Sequence, residues 1–256
     1  MVRQERQEKI RDFCNKHGHL SVKQASQNLQ VTEMTIRRDF DTLAKKGEVL
    51  RIHGGIQSLQ QGILYSAPEI NYTEKQKLNP QEKSLIAQEA ITLINELDTI
   101  FLGPGSTCRE IAYHIPSSYF LRVITNNLAV FDLLKNNSNI ELCIIGGAYR
   151  YKSKSFIGPL AEEIIGLLGI DKSFISANGI AGNSVTTSNV EEGRIQSLAL
   201  DRSGSRYLVC DSSKIGQLDF YDFYHLDKVD ALITDSGITH KQISEIERYS
   251  RVITAE

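Results

Sequence analysis

The chain has 256 residues, 41% hydrophobic and 23% charged, with a net charge of −2, ordinary values for a globular protein that buries a real core. No run of about 18 apolar residues occurs, so no membrane-spanning helix is expected, and the start MVRQERQEKIRDF lacks the apolar centre of a signal peptide. Cys14, Cys108, Cys143 and Cys210 form no CxxC pair, which argues against a zinc site or a disulfide framework and suits a reducing cytoplasm.

The charge is uneven. Residues 1–56 carry 11 Lys/Arg against 7 Asp/Glu, whereas the remainder carries 18 against 24, a basic module ahead of a more acidic body. Three helices are predicted in the module. Gln4–Lys16 has apolar Ile10, Phe13 and Cys14, with Gly18 placed as a C-terminal cap. SVKQASQNL opens on a capping box, Ser21 to Gln24, and sets Val22, Ala25 and Leu29 on one side. The third helix starts after the N-cap Thr32 and turns Ile36, Phe40 and Leu43 inward at i, i+4 and i+7. Thr32, Thr35, Arg37, Arg38 and Asp41 are left on the outer faces, and EVLRIHGGI reads as two short strands.

Helix, short turn, helix places its second helix in the major groove of DNA. Arginine suits that position because its planar fork pairs bidentately with guanine or clamps a phosphate. The hairpin would then be a wing, with Arg51 and His53 reaching a flanking phosphate or the minor groove. The bland alternative is that Arg37 and Arg38 merely solvate a surface helix, paired with Asp39 or Asp41. MTIRRDFDTLAKKGEVLRIHGG, however, closely resembles the N-terminal signature of DeoR-type bacterial transcriptional regulators. That resemblance implies that TIRRD opens a recognition helix and HGG closes a wing. Within it Asp39 has a structural role, orienting an arginine, since phosphate would repel an acid.

Residues 57–74 show no sustained period and read as a linker between a DNA-binding domain, 1–56, and a body, 75–256. In the body, helix EKSLIAQEAITLIN precedes strand TIFLG, and strand RVIT precedes helix NLAVFDLLK and strand ELCII. Helix PLAEEIIGLLG leads to strand KSFISA, and helix NVEEGRIQSLALD to strand RYLVC. Strand DALIT, helix ISEIERYS and strand RVITA follow. Short apolar strands between amphipathic helices predict a mainly parallel, Rossmann-like α/β sheet covered on both faces.

Ligands of such sheets bind at the carboxyl ends of the strands. Those ends carry Gly103, Gly105, Ser106 and Thr107, then Thr125 and Asn126 (with Asn127), Gly146 and Gly147, Asn178 and Gly179, Asp211 and Lys214, and finally Asp235-Ser-Gly237. Glycines, hydroxyls, amides and a lysine suit a phosphate-bearing polyol. GPGSTC lacks the third glycine of a dinucleotide loop and the GK[ST] of a triphosphate loop. A monophosphate cradle at a helix start fits better; a plain turn with Ser106 as N-cap is the alternative. Cys108 beside it reads as a small buried filler.

DSSKIG is similar to the DeoR-family effector motif, and the whole body resembles the sugar-phosphate-sensing domain related to ribose-5-phosphate isomerase. The resemblance implies that Asp211, Lys214 and the GPGST loop bind effector. The basic lead-in YTEKQKLNPQEKSLIA matches the family too and adds Lys75 and Lys83. GPGSTC departs from the commoner Asp-x-Gly-x-Thr form. ISANGI, VTTSNVEEG and DSSKIGQLDFYDFYHL are closest to the branch that represses lactose phosphotransferase and tagatose 6-phosphate pathways. The expectation is a cytoplasmic homodimer or homotetramer that binds operator DNA and is released by a phosphorylated sugar, tagatose 6-phosphate favoured. No catalytic residue, metal, cofactor or membrane contact is expected. The competing reading is a sugar-phosphate isomerase with an accessory DNA-binding domain, for which Asp211, Asp235 and Glu191 are available acids.

Overall fold

The structure, a computed structural model, describes residues 3–17, 19–52, 55–58 and 69–256. The chain divides into two compact units, Met1–Pro68 and Glu69–Glu256.

The first unit runs α1 (Arg3–His17), β1 (His19–Ser21), α2 (Val22–Leu29), α3 (Glu33–Lys45), β2 (Val49–Ile52) and β3 (Gly55–Ser58). Thr32 caps α3, its side chain accepting from the Thr35 amide. Ile36, Phe40 and Leu43 join Ile10, Cys14, Leu20, Val22, Ala25, Val49 and Ile56 in one buried cluster. Phe13 stays 36% exposed. The wing has three antiparallel strands in the order β1-β3-β2, not two. Three residues are too few to show an alternation, and β1 finds its partner only across the fold. The expected cap residue Gly18, the wing residue His53 and linker residues 59–68 lie outside the described residues, as does the Ser21 side chain.

The second unit opens with α4 (Tyr72–Lys77) and α5 (Pro80–Thr92), then β4 (Thr99–Leu102), α6 (Ser106–His114), β5 (Leu121–Thr125), α7 (Leu128–Leu134) and β6 (Ile140–Ile144). A hairpin, β7 (Ala148–Arg150) and β8 (Ser155–Ile157), precedes α8 (Pro159–Leu167), β9 (Ile170–Ile175), β10 (Gly179–Ala181), β11 (Ser184–Thr187) and α9 (Val190–Asp201). The chain continues through β12 (Ser203–Val209), β13 (Tyr221–His225), β14 (Ala231–Asp235), α10 (His240–Ile246) and β15 (Arg251–Ala255). Residues 69–74, expected in the linker, belong to this unit: Glu69 pairs with Arg150, and the amide of buried Tyr72 donates to the Lys152 carbonyl at 2.8 Å.

Seven strands form an all-parallel sheet, β15-β14-β12-β9-β4-β5-β6. Both faces are covered. Ile100 and Leu102 pack in a cluster with residues of α5, α6 and α7, while Phe101 between them packs with residues of α8 and α9. The winding runs outward from β4 to β6, then returns to lay β9 against the other side of β4. This reversal opens a crevice at the carboxyl ends of β4 and β9, where open α/β sheets bind ligands. The antiparallel pieces, β7-β8 and β10-β11-β13, were not legible in sequence; they are only three to five residues long, and β13 pairs with β11 across roughly 35 to 40 residues of chain.

A surface helix and an anion cavity

On α3 the apolar stripe is turned inward, with Asp39 buried beside it. Asp39 is the structural acid expected, accepting from Arg6 Nε at 2.5 Å and Gln7 Nε2 at 2.9 Å. The outward faces carry Thr32, Arg37 and Arg38, with Thr35 partly covered. Arg37 pairs with Glu33 at 3.5 Å, not with Asp39 or Asp41. The Arg38 guanidinium is exposed and has no hydrogen-bond or ion-pair partner among the described residues. Arg51 turns back into its own unit. Its Nε donates to Asp41 at 2.8 Å, its Nη1 to the Gly55 carbonyl, and its guanidinium stands 5.5 Å from the Phe40 ring centre. Those contacts tie β2 to α3.

In the second unit a cleft lies at the topological reversal, where open α/β sheets bind ligands. Of the expected residues, Gly105, Ser106, Thr107, Lys75, Lys83, Asn178, Asp211 and Lys214 line it. Gly105 caps α6 at φ +132°, and a Cβ there would come within 2.1 Å of Ser176 Oγ; only glycine holds this turn. Ser106 is therefore the first helical residue, not the cap, and α6 begins without a side-chain cap. Its first amides carry the positive end of the helix dipole at the cleft.

Three lysines converge there. Lys75 Nζ donates to Asn178 Oδ1 at 2.8 Å, and Lys83 Nζ to the carbonyls of Lys75 (2.6 Å) and Leu78. The Lys214 ammonium has no hydrogen-bond or ion-pair partner among the described residues. Burial pulls Lys75 below its ordinary pKa, opposed by Glu192 and helped by Lys214. Burial lowers Lys83 too, opposed by Asp211 and helped by Lys214. Cations that are desolvated and bonded only to neutral acceptors gain from an added anion. Asp211 does not neutralise them directly: it accepts from Asn79 Nδ2 at 2.8 Å and from Ser213, capping the turn that carries Lys214. Asp235 holds the same turn through Ser212 N (2.6 Å) and Oγ (2.8 Å).

The other expected residues lie away from the cleft lining and build its frame. Gly103 packs on Ile175, Gly147 against the Ile157 carbonyl, and Gly179 against the Gln217 carbonyl; Gly146 meets nothing within 4 Å of an added Cβ. Thr125 Oγ1 donates to Leu102 O at 2.7 Å, and Asn126 Nδ2 to Phe156 O at 2.9 Å. Asn127 caps α7 and donates to Ser153 O at 2.9 Å. Thr125–Asn127 and Gly146–Gly147 lie at the ends of β5 and β6, beyond the reversal, whereas Gly103 follows β4 and Gly179 opens β10. Cys108 is buried and donates to Phe174 O, its pKa pushed up to about 12 by burial, so it is a filler and not a reactive thiolate.

Sequence reasoning missed Glu69, Tyr72, Arg150, Lys152, Glu192 and Gln196. Arg150 bridges two acids, with Nη2 2.5 Å from Glu69 Oε2 and Nη1 2.9 Å from Glu192 Oε1. Tyr72 and Glu192 stood inside the motifs YTEKQK and VTTSNVEEG without being singled out, and the run RYKSK, with Arg150 and Lys152, resembles ordinary solvated charge.

A winged helix-turn-helix with an unpaired arginine on α3, followed by a doubly wound domain with a lysine-lined cleft, has the parts of a ligand-responsive DNA-binding regulator. Residues 6–62 match the DeoR-like helix-turn-helix domain, and residues 78–236 the DeoR C-terminal sensor domain. The chain belongs to the DeoR family. It is 39% identical to a lactose phosphotransferase system repressor of Streptococcus mutans over 255 residues, 99% of this chain and all of the relative. Over 258 residues it is 37% identical to that of Lactococcus lactis, covering 100% of both chains. Similar solved structures include ribose 5-phosphate isomerase A from Methanocaldococcus jannaschii (18% identical, 54% of this chain and 55% of that chain, TM-score 0.38). Another is eIF2B delta from Chaetomium thermophilum (13% identical, 61% and 56%, TM-score 0.44). No helix among the described residues is long and apolar enough to cross a membrane, and no described His, Cys, Asp and Glu cluster could hold a metal.

Proposed function

We propose that the chain is a repressor of a sugar catabolic operon, released from operator DNA by a phosphorylated sugar, and that it has no enzymatic role. The observation that carries this is the convergence of Lys75, Lys83, Lys214 and the uncapped start of α6 on one cleft. A phosphate dianion would be held by Lys214 and by the amides and hydroxyls of Ser106 and Thr107, with Lys75 and Lys83 behind. Tagatose 6-phosphate is favoured because the full-length relatives above are named for the lactose phosphotransferase system. Thr32, Thr35, Arg37 and Arg38 would face the major groove, with the wing alongside. A homodimer or homotetramer in the cytoplasm would present two or more such helices to the operator. Effector would favour an arrangement in which they no longer match the half-sites; moving a population from 1:99 to 99:1 takes about 5.5 kcal/mol of differential binding.

Calorimetric titration with tagatose 6-phosphate tests the reading. Saturation near one ligand per chain is expected. Lys214→Ala should weaken binding roughly 10- to 150-fold, the loss of a charge-assisted bond worth about 1.5–3 kcal/mol. It should leave the melting temperature unchanged, since no described partner is lost, and give a protein that binds DNA without release. Heat that continues without saturating would mean turnover and overturn the non-enzyme reading; no heat would remove this effector.

Arg38→Ala tests the other half. With a duplex selected from a randomised pool, it should cost about 1–3 kcal/mol of affinity and leave the calorimetric titration intact. Equal loss of both activities would defeat the division of labour between the units.

A further inference from the structure

The cleft has a second half whose chemistry differs from the lysine half. Glu192 and Gln196 stand at i and i+4 on α9, and both are at least 95% buried. Gly193 between them sets α9 flush on β13, where an added Cβ would come 2.6 Å from the Tyr221 ring. Tyr72, three residues before Lys75 on α4, is 3% exposed. Glu69, Tyr72, Glu192 and Gln196 all line the cleft. Gln196 Oε1 and Tyr72 Oη are buried and have no hydrogen-bond partner among the described residues, which buried polar atoms in native proteins rarely lack. Lys75 lines the same cleft and donates to Asn178 Oδ1 at 2.8 Å, with the charges of Glu192, Glu69 and Lys214 all acting on it.

A phosphate dianion is ill suited to this half. The cations of this half, Arg150 and Lys152, are already paired with Glu69 and Glu192 and leave no free positive charge for a phosphate, and an amide oxygen such as Gln196 Oε1 accepts hydrogen bonds and cannot donate one. What suits an amide, a phenol and two carboxylates already oriented by Arg150 is a set of hydroxyls, which both donate and accept. We propose that Gln196 and Tyr72 read the sugar hydroxyls of the bound ligand and so determine which phosphorylated polyol is recognised. The lysine half recognises phosphate on any of them. Sites built to hydrogen-bond a substrate hydroxyl reject analogues that lack it, because their own buried groups are then left unpaired.

This inference rests on the sugar-phosphate reading above, and one pair of ligands separates the two. The full-length chain and its Gln196→Leu and Tyr72→Phe variants are titrated with tagatose 6-phosphate and with inorganic phosphate. Each variant is expected to bind tagatose 6-phosphate roughly tenfold more weakly, with inorganic phosphate binding unchanged. Equal weakening of both ligands would show that these residues merely shape the fold, and no weakening would show that they touch no hydroxyl; either overturns the proposal. If the unaltered chain binds inorganic phosphate but not tagatose 6-phosphate, the effector choice falls alone. The comparison then passes to a panel of hexose and pentose phosphates, and the inference falls if none binds more tightly than inorganic phosphate.

Discussion

Asp39→Ala is expected to unfold the first unit while the second keeps its ligand affinity. Asp39 is 1% exposed, and its two oxygens take Arg6 and Gln7 at 2.5 and 2.9 Å, with Arg3 Nε at 3.6 Å. The Arg6 side chain is itself only 12% exposed. Alanine leaves that guanidinium nearly buried and unpaired, and breaking a buried pair from one side costs about 3–5 kcal/mol. A core of this size rarely supplies more than about 3–5 kcal/mol of net stability. The loss and the total therefore match. Scanning calorimetry should show the transition of Met1–Pro68 disappear, with duplex binding abolished and the heat of tagatose 6-phosphate titration unaltered. Asp39→Asn, which keeps an acceptor, should recover part of the transition. An unaltered melting profile in Asp39→Ala would sink the argument.

Arg150→Met should destabilise the second unit by a similar amount for a related reason. Arg150, Glu69 and Glu192 have side chains 16%, 13% and 7% exposed, and Arg150 meets Glu69 through both terminal nitrogens. Methionine strands Glu192 and leaves Glu69 only Lys152, at 3.6 Å, again about 3–5 kcal/mol. At roughly 2–4 °C per kcal/mol for a unit of this size, the melting temperature should fall by roughly 6–20 °C without loss of the fold. Burial alone would raise the Glu69 pKa, but the hydrogen bonds and charge of Arg150 outweigh it and hold it below the usual carboxylate value. A depressed folded pKa means stability that is present above the unfolded value and lost as pH falls through the folded one. The gap between the unaltered chain and the variant should thus be widest near neutrality and close in acid. Adding Glu69→Gln and Glu192→Gln to Arg150→Met should restore most of the stability, because neutral replacement of a whole buried network costs little. A gap of the same size at every pH would show that Arg150 acts by packing alone.

What could be read from the residues was local. The stripe Ile36, Phe40, Leu43 needs only the helical period, Thr32 needs only its neighbour three residues on, and the parallel strands need only four or five apolar residues between amphipathic helices. Asp39 was legible as structural because phosphate would repel an acid on a helix expected to meet DNA. The glycine and hydroxyl loops after the strands were visible as well, but all six looked alike.

Choosing among them took the tertiary structure. The strand order reverses between β4 and β9, and that reversal gathers Gly105–Thr107, Asn178 and Asp211–Lys214 at one cleft. It leaves Thr125, Asn126 and Gly147 at the ends of β5 and β6, where the same residue types brace the frame. Arg150 and Glu69 lie 81 positions apart, and nothing in either neighbourhood announces the other. Sequence by itself determined the main helices and the parallel strands, their apolar faces and the two-part character of the chain, because those follow from interactions within a few residues. Which polar groups face one another was decided only when the crossovers set the order of the strands, because a cleft is a property of chain segments that meet in space and not of any segment alone.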